Sequence, residues 1–234
     1  MSDFHLAAAQ RTQLSRISTA TLTSVLIKRG IRHSFMRDVF PLAPHLRLAG
    51  TAFTLRYIPS RQDLTDRRYD NETNVQRIAM ESIGEGQVLV IDARGITDAG
   101  TMGDILATRI QQRGAAGIVT DGGLRDTPAL AEMGFPVFLG GAAAPPSHLV
   151  HHPVDINQPI GCGGVAVVPG DLMVGDGEGV VVVPQQMAAA VIAEAWEQEQ
   201  LEAWVVGQIQ AGKSIKGLYP PDDEAMARFK TARG

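Results

Sequence analysis

The sequence predicts an α/β fold built on two parallel strands joined by a helix. Two short apolar runs, QVLVID at 87–92 and AGIVT at 116–120, suit buried strands. Between them, Ile105, Leu106, Thr108, Arg109, Gln111 and Gln112 alternate apolar and polar at a helical spacing, and Gly114 stops the run. Such a crossover is right-handed, so the loops that follow the two strands leave the same edge of the sheet.

The other elements follow in chain order. Residues 12–29 read as a first helix, with Leu14, Ile17, Leu22, Val25 and Leu26 on one face and Gly30 closing it; its serines and threonines allow a kink or a late start. Pro41 and Pro44 mark a loop, and 48–58 (LAGTAFTLRYI) alternates as a strand does. The charged run 59–74, with Arg61, Asp63, Asp66, Arg67, Arg68, Asp70 and Glu72, reads as a solvated loop or an active-site lid. Residues 75–83 read as a helix leading into the strand at 87–92, after which Arg94 and Asp98 either line a crevice or sit on a surface turn.

Beyond Asp126, residues 127–133 form a short helix with Pro128 near its start, and 136–139 (PVFL) a strand. His148, His151, His152 and Asp155 resemble metal ligands, but Pro153 forbids the helix that would gather them, so loop or strand histidines are expected. Residues 161–184 are β in character, with Asp171 and Asp176 as turn formers. Residues 185–211 form a long helix whose apolar stripe includes Trp196 and Trp204, stopped by Gly212. A short polar segment, 222–233, ends the chain.

Composition narrows the function classes. The 234 residues carry 44% hydrophobic content, enough for one sizeable core, and a net charge of −4. The 21 lysines and arginines are scattered, so no basic face invites nucleic acid. Cys162 is alone, which excludes an internal disulfide framework and a thiolate zinc site. No apolar run reaches membrane length, and a soluble cytoplasmic protein is expected.

The chemistry concentrates at the strand edge. Ligands bind at the carboxyl edge of open α/β sheets, and there Asp104 and the Arg125-Asp126 couplet would face one crevice. Two carboxylates offer oxygen ligands to Mg²⁺ or Mn²⁺. A guanidinium grips a carboxylate or enolate oxygen in forked fashion, and the helix start at Gly103, Asp104, Ile105 and Leu106 offers backbone N–H groups to an anion. The set suits a small anionic substrate whose reaction builds negative charge on oxygen. The same residues also read as a helix cap and a solvated turn.

Asp104, twenty intervening residues and Arg125-Asp126 resemble the signature of the family that contains the 4-hydroxy-4-methyl-2-oxoglutarate/4-carboxy-4-hydroxy-2-oxoadipate aldolases and the regulators of ribonuclease E activity. GTAFTLRY at 50–57 and GCGGVAVVPGDLMVGDGEGVVVVP at 161–184 extend the likeness over roughly residues 14–218. The resemblance implies a swivelling β/β/α domain over 1–184 with a C-terminal helical extension, 185–234, packing on the body or on a neighbouring subunit. It implies trimers or hexamers with active sites between subunits. The implied activity is that of a Mg²⁺- or Mn²⁺-dependent pyruvate aldolase acting on a small 2-oxo acid and also decarboxylating oxaloacetate.

Carried over by position, Asp126 would bind the metal and Asp104 would hold a water on it. Arg125 would grip the pyruvyl oxygens, and the backbone of Gly103, Asp104, Ile105 and Leu106 would anchor the substrate carboxylate. A glutamate reaching into a neighbouring subunit's site is similar to Glu202, with Glu199 as second choice. No lysine stands in the motif for a Schiff base. The 59–74 stretch is expanded relative to shorter members, so a sugar-derived 2-oxo acid is a conceivable substrate. The rival readings are a non-catalytic protein-binding regulator of ribonuclease E and a sugar-acid dehydratase or lyase using the same enolate chemistry.

Overall fold

A computed structural model of the chain describes residues 6–65 and 70–233; Asp66, Arg67 and Arg68 of the charged loop lie outside the described residues. The elements are α1 (Ala8–Leu14), α2 (Thr19–Lys28), β1 (Phe40–Pro41), β2 (Leu48–Pro59), α3 (Val75–Ser82), β3 (Gln87–Asp92), α4 (Asp104–Gln112), β4 (Gly117–Thr120), β5 (Gly123–Leu124) and α5 (Thr127–Glu132). They continue with β6 (Val137–Leu139), β7 (Gly141–Ala142), β8 (His151–Ile156), β9 (Ile160–Cys162), β10 (Val165–Val167), β11 (Leu172–Asp176), β12 (Gly179–Val183), α6 (Ala188–Gln210) and α7 (Asp223–Arg233). The fold is α/β, as the sequence predicts, with the long C-terminal helix α6 in place.

The main sheet runs β1-β6-β4-β3-β2-β11-β12, with β8 pairing β2 beside that path. β2 pairs β3, β3 pairs β4 and β4 pairs β6 in parallel. The length of β2 allows β11 to pair its first residues and β8 its last. One short stretch of chain nearly closes this sheet into a barrel. The Met36 N–H donates to Val180 O at 2.9 Å and the Val182 N–H to Ser34 O at 2.8 Å, while Phe40 and Pro41 pair with β6.

Period-two alternation sorts side chains between the inside and outside of the barrel. Val88 and Val90 of β3 face inward with Phe138 and Met173, whereas Leu89 and Ile91 face the layer of α3, α4 and α5. Val181 and Val183 of β12 turn outward to meet α2 and the first half of α6. Phe138 fills the barrel opposite Gly175, where an added Cβ would lie 2.7 Å from the ring. Cys162 lies in the same interior, and burial pushes its thiol well above the ordinary range, so it packs rather than reacts.

Three elements depart from expectation. The helix over 12–29 is two helices, because the Ser18 hydroxyl accepts the Thr21 N–H at 3.1 Å and starts α2 afresh. Asp176 is more than a turn former: its carboxylate accepts the Thr19 N–H at 2.8 Å and the Thr19 hydroxyl at 2.9 Å, anchoring α2 to the sheet. The segment 222–233 is largely the helix α7, held by buried Ala225 and by Phe229, whose ring packs 5.8 Å from that of Trp204.

Candidate active site

Parallel order places the N-termini of α3, α4 and α5 at one end of the sheet, because each follows a strand that ends there. A small parallel set of strands sits on this end and fixes the site residues. The Thr101 N–H donates to Gly123 O at 2.8 Å, and the Arg125 N–H donates to Met102 O at 2.9 Å. The segments before Asp104 and before Asp126 therefore run side by side. Contact is close enough that a Cβ on Gly100 would fall 2.4 Å from Arg125 Cγ and 2.7 Å from its backbone nitrogen.

Asp126 sits at φ 55°, ψ 32°, a left-handed conformation that costs a non-glycine residue about 1–2 kcal/mol. It stands at the start of α5 yet makes no side-chain cap there. Its carboxylate turns instead toward Gly103, where an added Cβ would lie 2.3 Å from Oδ2. Asp104 opens α4 with Gly103 as the N-cap, and its Oδ1 accepts the Ile105 N–H at 2.7 Å. The first N–H groups of a helix lack partners within it, and the dipole adds positive potential at that end.

Gly103, Asp104, Ile105, Leu106, Arg125 and Asp126 line one cavity of about 250 Å³. The structure thus brings Asp104, Arg125, Asp126 and the backbone from Gly103 to Leu106 to one cavity, as the sequence reading placed them, whereas the Glu202 reading concerns the site of a neighbouring subunit. Glu202 accepts a hydrogen bond from Gln198 Nε2 at 2.8 Å and lines a separate cavity between α2, α6 and the C-terminal segment. Glu199, the second choice, accepts the Ser18 N–H at 2.6 Å. Arg94 and Asp98 do not line the crevice: Arg94 Nη2 reaches Val150 O at 3.1 Å and His151 Nδ1 at 3.0 Å, and Asp98 is exposed.

The sequence reading missed Gln76 and Arg77, which line the cavity from the first turn of α3. Their signal was present, since α3 also follows a parallel strand and so starts at the same sheet end. Gln76 is buried and donates through Nε2 to the Tyr57 hydroxyl at 2.8 Å and to Thr101 O, tying α3 to the strand before Asp104.

His151, His152 and Asp155 lie along β8, and among the described residues no three His, Cys, Asp or Glu side chains gather to hold an ion. His151 is buried on β8, and desolvation, aided by Arg94, holds its imidazole below the ordinary range. An imidazole kept neutral in the folded chain protonates on unfolding, so stability should fall as the pH drops below about 6.5. Urea unfolding at pH 7.5 and 5.5 checks this, with the difference reduced in His151→Gln.

Gly103 gives a direct test of the geometry. Its φ of −133° suits alanine, so Gly103→Ala strains only the space that the Asp126 carboxylate occupies. The variant should keep its unfolding free energy within about 1 kcal/mol while any activity that depends on Asp126 falls at least about tenfold.

Comparison with known proteins gives the family. A family model described as RraA-like, Aldolase/RraA, matches residues 18–182. A Halalkalibacterium halodurans protein with a provisional 4-hydroxy-4-methyl-2-oxoglutarate aldolase name is 38% identical over 121 residues, 52% of this chain. The protein DlpA of Legionella pneumophila is 24% identical over 87% of this chain. The chain spans only 57% of the length of the first and 32% of the second. Among solved structures, a Streptomyces coelicolor member of the RNase ES inhibitor RraA family superposes with a TM-score of 0.76 at 33% identity, covering 85% of this chain and 96% of that one. An uncharacterized Pseudomonas syringae protein gives a TM-score of 0.79 at 27% identity, covering 92% and 99%. With a family model matched over most of its length and a fold shared with the Streptomyces family member, the chain belongs to the aldolase/RraA family.

Proposed function

We propose that the protein is a divalent-metal-dependent lyase that cleaves a short 4-hydroxy-2-oxo acid to pyruvate and decarboxylates oxaloacetate through the same enolate. The observation that carries this reading is the lining of one cavity by Arg125, Asp126, Asp104 and the start of α4. The donor set fits Mg²⁺ or Mn²⁺, which keep several waters and take one or two protein carboxylates. Asp126 would hold the ion, with its carboxylate kept in place by the bare Gly103, and Asp104 stands beside it. When bound, the ion supplies Lewis-acid stabilisation of negative charge on the pyruvyl oxygens.

The chain's own groups do the rest. The N–H groups at the start of α4 bind the substrate carboxylate, and the Arg125 guanidinium grips the pyruvyl oxygens. Breaking the bond from C3 to C4 leaves an electron pair as the enolate. Arg125 binds that charged oxygen more strongly than the ketone oxygen before it, and the difference lowers the barrier. The C4 hydroxyl proton passes to a water oriented by the Asp104 carboxylate; decarboxylation needs no such acceptor. Ile105, 80% exposed at the cavity mouth, suits cover by a second copy of the chain in a trimer or hexamer. Glu202 of a neighbouring copy would then complete the site.

Pyruvate release from 4-hydroxy-4-methyl-2-oxoglutarate and from oxaloacetate, with Mg²⁺ or Mn²⁺ and with chelator, tests the reading. Both activities are expected, and chelator should reduce them to the uncatalysed rate. The 33% identity to the Streptomyces RNase ES inhibitor relative favours one second reading, a protein-binding regulator of a ribonuclease. Ribonuclease binding that survives loss of Arg125 and Asp126, in a protein without lyase activity, would support it.

A further inference from the structure

Gln76 is 5% exposed and lines the cavity of Arg125 and Asp126 from the side of α3. Its partners fix the orientation of its carboxamide. The Thr101 carbonyl can only accept, so the amide nitrogen, and not the oxygen, must face it. The same nitrogen donates its second hydrogen to the Tyr57 hydroxyl at 2.8 Å. Both amide hydrogens are thus spent on the protein. The polar atom that Gln76 has left to offer the cavity is Oε1, an acceptor with two lone pairs and no proton to give.

This oxygen is placed to work with Asp104. It is bonded to the same carbon as the nitrogen that meets Thr101 O, so it stands beside the segment that leads, three residues on, to Asp104. The Asp104 carboxylate is itself held, because its Oδ1 accepts the Ile105 N–H at 2.7 Å. Gln76 and Asp104 therefore present two acceptors to one cavity. A water shared between them donates one hydrogen to each, and its lone pairs then point away from both, toward the substrate.

We infer that Gln76 is a positioning residue for the aldol cleavage: with Asp104, its Oε1 holds the water that takes the C4 hydroxyl proton. This rests on the cavity being the pyruvyl site. In the step, the C4 hydroxyl gives its proton to the water, and the water passes a proton to the Asp104 carboxylate. The C3–C4 bond breaks as the C4 carbonyl forms. C3 keeps the electron pair as the enolate and then takes up a proton to give pyruvate. Oxaloacetate decarboxylation moves no hydroxyl proton, so it needs neither this water nor Gln76.

The test sets the two reactions against each other in protein supplied with Mg²⁺. Gln76→Leu and Gln76→Met fill the same space without the oxygen. Each should lower kcat for cleavage of 4-hydroxy-4-methyl-2-oxoglutarate by about 10- to 100-fold, a part of what general-base catalysis contributes. KM for that acid and kcat for decarboxylation should both stay within about threefold. Tyr57→Phe removes one anchor of the amide but leaves Thr101 O to orient it, so cleavage should fall no more than about threefold, the scale of one neutral hydrogen bond. Cleavage at the native rate in the Gln76 variants would overturn the inference. Equal losses in both reactions, or a loss in Tyr57→Phe as large as in Gln76→Leu, would reduce Gln76 to a strut and overturn it too. So would a change confined to KM, which would put a substrate hydroxyl rather than a water on Oε1. In each of these cases decarboxylation by the unaltered protein upholds the pyruvyl site, and its absence would overturn both readings.

Discussion

Arg125→Ala is expected to lower kcat/KM for pyruvate release by about 10²–10³, the usual scale for removing one donor aimed at a developing oxyanion. The loss should fall mainly on kcat, because the guanidinium meets more charge in the transition state than in the bound ketone. Stability should hardly change. Arg125 is exposed, and none of the ion pairs found among the described residues involves it. Arg125→Lys restores the charge without the planar fork and should recover only part of the rate. Steady-state kinetics beside thermal unfolding check this. A variant that loses activity and fold together would point to a structural role.

Asp126→Asn should be at least as severe and different in kind. The amide keeps the shape and tolerates the left-handed conformation at 55°, so the turn into α5 survives. The negative charge does not, and with it goes the anionic oxygen ligand that a hard cation requires. Activity should drop by orders of magnitude, and raising Mn²⁺ should restore part of it. Titration of Mn²⁺ followed by electron paramagnetic resonance should show weakened binding in Asp126→Asn and near-native binding in Arg125→Ala. The two variants thus separate ion binding from oxyanion stabilisation.

The sequence told the strands and helices around the site because their signals are periodic. β3, α4 and β4 bury one face or both, and the apolar spacing shows it. The pairing that sets the site geometry left no such signal. β5 and β7 are two residues each, and the alignment of Thr101 with Gly123 comes from backbone hydrogen bonds, glycine contacts and the Thr101 hydroxyl, which donates to Gly123 O at 3.1 Å. The glycines at 100 and 103 were visible as loop residues, but what each makes room for was not. Gln76 and Arg77 sat inside an expected helix, and only the parallel order of β2 and β3 turns their end of it toward the site. Arg94 was drawn away by His151, a partner 57 residues distant that no local pattern announces.

The shortest path to the chemistry is proton exchange on pyruvate itself. Incubated in D₂O with Mg²⁺ or Mn²⁺, the protein should catalyse replacement of the pyruvate methyl hydrogens by deuterium, visible as loss of the methyl proton resonance. Arg125→Ala and Asp126→Asn should each slow the exchange by about 10² or more. Exchange no faster than in protein-free solution, by an intact and metal-supplied protein, would contradict an enolate held by this couplet.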